Sequence, residues 1–277
     1  MALGFTLAVL LAGPNVPTPL YPIYEQTFGF SPLLITLLFA AYALVLIPAL
    51  LVFGPASDAV GRRRVLLPAT AVASLGAVLF ALAGGPVWLF AARVAQGLAL
   101  GAAQGTATAA LGEADPDGNE SRAARVGSLS VVGGIAVGPL LGGLLAQYAP
   151  APLVLPYVVE AALLLAAVAA LAWALPRQDG STTPGTGGRW RPRRPSIPAS
   201  MRRRFVLSGL SAFVAFSVSA LFLTLMPTYV GQVAHSANLA LGGGVVAVML
   251  GCAALVQLPL RALSTRRAQV LGLALMA

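Results

Sequence analysis

Residues 32–53 read PLLITLLFAAYALVLIPALLVF, and residues 54–64 continue GPASDAVGRRR. The first stretch holds no charged residue. At about 1.5 Å per residue, a helix of that length crosses the roughly 30 Å hydrocarbon core of a bilayer. The second stretch turns polar and closes on Arg62, Arg63 and Arg64, side chains that belong among headgroups and water. An apolar helix ended by an arginine-bearing loop is the unit from which the fold is read.

The unit recurs along the chain. Eight complete spans are predicted, at 3–24, 32–53, 65–84, 87–110, 124–147, 152–174, 205–229 and 240–262. A further apolar run starts near Gln269 and stops at Ala277. So short a run does not cross a bilayer, so the chain is expected to break off inside a ninth helix. Composition agrees: 58% of residues are hydrophobic and 9% charged, against about 25% charged in soluble domains. The first run lacks a basic leader and a small-residue cleavage site, so it reads as a true helix and not as a signal peptide.

The loops set the orientation. Net charge is +9, and the 17 basic residues are all arginine. Sixteen of the 17 follow or end spans two, four, six and eight, and only Arg93 lies well inside a span. This asymmetry predicts a cytoplasmic N-terminus. No basic stripe with interleaved aromatics exists, so nucleic acid is excluded as a partner. The exclusive use of arginine is an association with GC-rich bacterial coding, hence an expected bacterial inner (plasma) membrane location. Residues 176–203, rich in Arg, Pro, Gly, Ser and Thr, are read as a cytoplasmic linker. It separates a six-helix bundle at 1–175 from an incomplete second bundle at 204–277. Cys252 has no disulfide partner and is expected as a small buried residue, and His235 as a loop residue.

The two sides of the linker are weakly alike. Pro17-Thr18 in span one corresponds to Pro227-Thr228 in span seven, and the Arg62–Arg64 loop to the one at Arg266 and Arg267. Equivalent elements are six spans apart, an even number, so both copies keep one orientation. Parallel six-helix repeats of this kind build one large class of transporters.

Three motifs sharpen the reading. The loop Gly54-Pro-Ala-Ser-Asp58-Ala-Val-Gly61-Arg62-Arg63-Arg64 offers two glycines for tight turns and an acid able to pair with arginine. It resembles the signature loop of the major facilitator superfamily, with Ala56 and Ala59 in place of the usual Leu and Arg. The resemblance implies that Gly54, Asp58, Gly61, Arg62 and Arg63 form a latch between conformations. The equivalent second loop has Ala262 where the acid stands. Span four carries Arg93-Val-Ala-Gln96-Gly97, similar to the family's Arg-x-x-Gln-Gly motif, with Gly97, Gly101 and Gly105 as a smooth stripe for close helix approach. Span five carries Gly134-x-x-x-Gly138-Pro139-x-x-Gly142-Gly143, which resembles the motif of the drug–proton antiporter branch at every fixed position. Pro139 removes one backbone hydrogen bond and permits a bend.

Glu160 is the one carboxylate well inside a span. Its depth matches that of Arg93, so the two are expected to approach each other. They form either a proton-responsive couple or a static pair; the resemblance implies that Arg93 serves proton coupling or substrate handling, the alternative being a structural cation neutralised by a carboxylate. In the family the first and fourth helices of each half line the path. This implies Asn15, Thr18 and Tyr21 in span one, Arg93, Gln96 and Gln104 in span four, and Thr224, Thr228 and Tyr229 in span seven. Pro14, Pro17 and Pro19 predict an interrupted first helix.

The fold class is thus an all-α membrane protein of the major facilitator type, with eight full spans and the start of a ninth. No enzyme signature, phosphate-binding loop or metal-ligand cluster is present, so neither catalysis nor a bound cofactor is expected. The resemblance implies a secondary transporter in the lipid bilayer, exporting a small organic molecule against a proton gradient, with no obligatory protein partner. The alternatives are a metabolite importer or uniporter of the same fold, or a truncated, transport-inactive membrane protein.

Overall fold

The computed structural model describes residues 1–114, 120–175, 198–233, 238–260 and Gly272. Every regular element among them is helical. In chain order these are α1 (Ala2–Ala12), α2 (Tyr21–Phe28), α3 (Pro32–Val60), α4 (Arg62–Ala81), α5 (Pro86–Glu113), α6 (Glu120–Tyr148), α7 (Leu155–Ala174), α8 (Arg202–Val233) and α9 (Leu239–Leu260).

The first span is interrupted, as its prolines predict. Pro14, Pro17 and Pro19 have no N–H to give, so α1 ends at Ala12 and two 3-10 turns, Gly13–Asn15 and Thr18–Leu20, lead into α2. Asn15 Nδ2 donates to the Leu11 carbonyl at 3.0 Å, satisfying an acceptor where the helix breaks. Irregular backbone at bilayer depth survives only inside protein. Accordingly, Leu7, Val16 and Leu20 are buried.

The second span differs from expectation at its end. Ser31 caps α3, its Oγ accepting from Leu34 N at 3.4 Å, but the helix runs on through Gly54 and Pro55 to Val60. Gly54 is therefore a helical residue and not a turn. The turn falls at Gly61, whose φ of 98° lies in the region that favours glycine.

Among the described residues, six helical stretches are long and apolar enough to cross a membrane: Ala2–Phe28, Leu33–Val60, Arg62–Ala81, Pro86–Glu113, Arg122–Tyr148 and Leu155–Ala174. They coincide with the first six predicted spans. The seventh and eighth predicted spans coincide with α8 and α9 as helices. The run from Gln269, apart from Gly272, lies outside the described residues, as do His235 and residues 176–197 of the expected linker.

Packing follows side-chain size. Helix α1 packs against α5, α6 and α7, and α5 against α3 and α4. Helix α3 lies along α5 because Gly97 and Gly101 present no Cβ: one at Gly97 would stand 2.6 Å from the Tyr42 carbonyl oxygen, and one at Gly101 would stand 2.5 Å from that of Leu46. A Cβ at Gly105 would meet nothing within 4 Å, so the stripe works over two of its three glycines. On the far side of α3, Leu44, Ile47 and Leu51 are exposed, as suits a lipid-facing surface. Cys252 is exposed as well, contrary to the burial expected for it.

Candidate functional site

Helix α5 places Arg93 and Gln96 three residues apart, on one face. Arg93 is 1% exposed, a costly position for a cation in lipid. Its Nη1 donates to the Pro14 carbonyl at 2.9 Å and to Gln96 Oε1 at 3.1 Å, and its Nη2 donates to the Tyr21 hydroxyl. The Pro14 carbonyl is offered by the broken backbone of the first span. The guanidinium carbon also lies 5.2 to 6.0 Å from the ring centroids of Phe39, Phe80, Tyr42 and Tyr21. Aromatic faces at such distances attract cations, most strongly away from water.

Glu160 comes from α7 and is 4% exposed. It does not pair directly with Arg93, as the matching depths suggested. Gln96 stands between them: its Oε1 accepts from Arg93 and its Nε2 donates to Glu160 Oε1 at 3.4 Å. A primary amide is both donor and acceptor, so one side chain can bridge a cation and an anion. Gly13 leaves room for the carboxylate, since a Cβ there would collide with Glu160 Oε1. A cavity of about 10 Å³ lies against Gln96, Glu160 and Gly13, space for about one water molecule. Arg93 Nε, Glu160 Oε2 and Thr18 Oγ1 are buried without hydrogen-bond partners. Beyond the cluster, Tyr24 and Tyr157 share a hydroxyl–hydroxyl bond of 3.0 Å, and Phe80 stacks on Tyr157 at 4.8 Å.

The turn at Gly61 builds a second constellation. Arg62 pairs with Asp58, four residues back across the turn, and with Glu113 at the end of α5, 2.9 Å away. It also donates to Ser57 Oγ. Arg63 donates to the carbonyl of Leu175, just past α7. The ends of α3, α5 and α7 therefore meet at one end of the bundle.

The glycines of α6 serve two neighbours. A Cβ at Gly134, Gly138 or Gly142 would press on the backbone of Ala8, Ala12 or Val16 in the first span. Gly143 faces the other way: a Cβ there would stand 2.8 Å from the Leu239 carbonyl oxygen of α9. Gly243 of α9 in turn lies against the Pro139 carbonyl. Gln147 Oε1 accepts from Leu239 N at 2.8 Å, joining the end of α6 to the start of α9.

The Major Facilitator Superfamily model matches residues 3–277. The chain belongs to the major facilitator superfamily. Among curated proteins it is similar to the Bacillibactin exporter of Bacillus subtilis (strain 168), 26% identical over 155 residues, 53% of this chain and 39% of that protein. It is also similar to MFS-type transporter SLC18B1 of Mus musculus, 28% identical over 237 residues, 82% of this chain and 47% of that protein. Among solved structures, peptide transporter POT in complex with sulfate shares the fold, with a TM-score of 0.51 and 16% identity over 84% of this chain and 49% of that one. A mutant of peptide transporter POT, also with sulfate, gives a TM-score of 0.55 and 18% identity over 80% of this chain and 45% of that one. The chain thus spans less than half the length of each of these relatives. Membership and the six apolar helices together make it a multi-pass membrane protein.

Of the residues singled out in this major facilitator sequence, the fold brings Arg93, Gln96, Tyr21 and Glu160 into one cluster. Thr18 is buried nearby in the sequence, and Asn15 turns its amide back to Leu11. Gln104 is half-buried and Tyr229 exposed, and neither bonds to the cluster. Thr224 and Thr228 lie in α8, and their side chains fall outside the described residues. Sequence reading missed Phe39, Tyr42 and Phe80 around Arg93, and Glu113 at the turn. Asp58 and Glu113 have side chains 65% and 60% exposed, so the ties to Arg62 are worth little in stability. A double-mutant cycle of Arg62→Ala with Glu113→Ala, read by thermal unfolding in detergent, is expected to give a coupling of about 0.2–1 kcal/mol. A coupling several times larger would mean that the turn is a structural clamp.

Proposed function

We propose that this chain belongs to a proton-coupled exporter of small organic molecules in the bacterial plasma membrane, working by alternating access. In this reading the N-terminus is cytoplasmic, α8 and α9 span the bilayer as part of a second bundle, and residues 176–203 link the two bundles. The observation that carries it is the buried Arg93–Gln96–Glu160 chain. Glu160 has no cation in direct contact and one unpartnered oxygen. It can take up a proton without first breaking an ion pair. Gln96 then passes the change in charge to Arg93, and Arg93 is bonded to the broken backbone of the first span. The latch residues Asp58, Arg62 and Arg63, and the antiporter-motif glycines of α6, are assigned to switching between states. The ten-residue motif at 134–143 supports export in exchange for protons. The likeness to the bacillibactin exporter supports the direction.

Everted membrane vesicles holding the full chain test the proposal. Uptake of a fluorescent substrate is expected to rise with an imposed proton gradient and to fall when a protonophore is added. Glu160→Gln is expected to remove the gradient-driven part and to leave downhill movement. Equal gradient-driven uptake by Glu160→Gln removes that residue from the proton path. A metabolite uniporter or importer is the competing reading, favoured by the scarcity of acids: Glu160 is the one buried carboxylate among the described residues. Uptake indifferent to the gradient in the unsubstituted protein decides for it.

A further inference from the structure

Glu160 borders a second space. Helices α6 and α7 each pack on α1 but touch each other little, so a groove opens between them with α1 as its floor. Its volume is about 220 Å³. The lining is apolar, with Phe5, Val137, Leu141 and Leu163 among its walls, and Glu160 is the only ionisable residue among its described walls. Among the described residues, its walls come from the first span, α6 and α7. Phe5 and Val137 are 41% and 47% exposed, which leaves the groove open at the depth of the spans. Glu160 Oε1 is held by Gln96 and lies against Gly13, and Oε2 is buried without a hydrogen-bond partner.

We propose that this groove is a membrane-facing binding site for a compact apolar amine, with Glu160 as its acceptor. An unpartnered acid at the bottom of a hydrocarbon-lined pocket discriminates by charge more than by shape. An apolar body fills the groove, and the ammonium meets Oε2. Entry is from the bilayer, where apolar amines concentrate. The inference uses the Glu160 placed in the coupling chain above. Its test reads binding with no gradient present, so failure here leaves coupled export standing, and the reverse holds too.

The ligands are adamantan-1-amine and its neutral counterpart adamantan-1-ol, titrated calorimetrically against the full chain in lipid nanodiscs. The amine is expected to bind at least about tenfold tighter than the alcohol. Glu160→Gln is expected to erase that preference. Gly133→Leu provides an independent variant. A Cβ at Gly133 meets nothing within 4 Å, so the fold accepts the larger side chain while the groove is filled. It is expected to remove binding of both compounds with an unchanged melting temperature. Equal affinity of amine and alcohol in the unsubstituted protein, or undiminished amine binding by Gly133→Leu, overturns the proposal.

Discussion

Arg93→Ala is expected to unfold or severely destabilise the protein in detergent and to abolish the transport proposed for it. The guanidinium satisfies the Pro14 carbonyl, Gln96 Oε1 and the Tyr21 hydroxyl, and four aromatic rings close around it. Hydrogen bonds to a charged group contribute about 1.5–3 kcal/mol each, and unmet buried acceptors add their own desolvation cost. The substitution also strips Glu160 of the nearest buried cation. A total loss of about 3 kcal/mol or more follows, in the range seen when one charge of a buried set is removed. Arg93→Lys separates stability from function. A lysine retains the charge but not the planar fork that reaches three acceptors at once. It is expected to fold, with a lower melting temperature, and to lose at least about tenfold in transport rate. Thermal unfolding followed by intrinsic fluorescence, beside vesicle uptake, reads both. Wild-type melting of Arg93→Ala would show that the cluster does not hold the spans together.

The second large effect is expected at Gly134, beside a neighbour that should show none. A Cβ at Gly134 would stand 3.0 Å from both Ala8 Cα and its carbonyl carbon, and closer still to the oxygen. Backbone on both sides leaves nothing to yield, so α1 and α6 must separate. Gly134→Val is expected to cost about 3 kcal/mol, at the upper end for overpacking. Gly133→Ala should shift stability by only a few tenths of a kcal/mol, because its Cβ enters open space and alanine favours helix. Size-exclusion profiles and melting temperatures of the two variants make the comparison. Equal behaviour would mean that the motif is not a packing device in α6.

Much of this was legible because lipid makes its demands locally. The length of an uncharged run, the charge of the loop after it and the absence of a proline N–H are all properties of short segments. They predicted the first six spans and the break in the first. Glycines four residues apart predicted close helix contact in span four, which holds for Gly97 and Gly101, and the same spacing at Gly134, Gly138 and Gly142 brings α6 against the first span. Gly105 shows the limit: the period says which residues share a face, not whether another helix covers all of that face. Gly54 shows another, since an apolar helix continued through a residue expected to turn.

The cluster was half legible. Arg93 and Glu160 stood out because ionisable residues are rare in spans, and rarity is visible in one dimension. Phe39, Tyr42 and Phe80 did not stand out, because aromatics are ordinary in apolar runs. Glu113 was not singled out, because nothing in its own segment pointed to Arg62, 51 positions away.

By itself the sequence determined a bundle of membrane helices, the charge of its connections and the stripes along which helices come close. Solvent and backbone geometry impose these on each segment alone. Only the tertiary structure decided that Gln96 separates Arg93 from Glu160, that the motif glycines of α6 serve α1 on one face and α9 on the other, and that a groove opens beside the acid. Those outcomes depend on how each helix is rotated and offset against its neighbours. That is a property of the packed set, since depth along a span says nothing of the direction in which a side chain points.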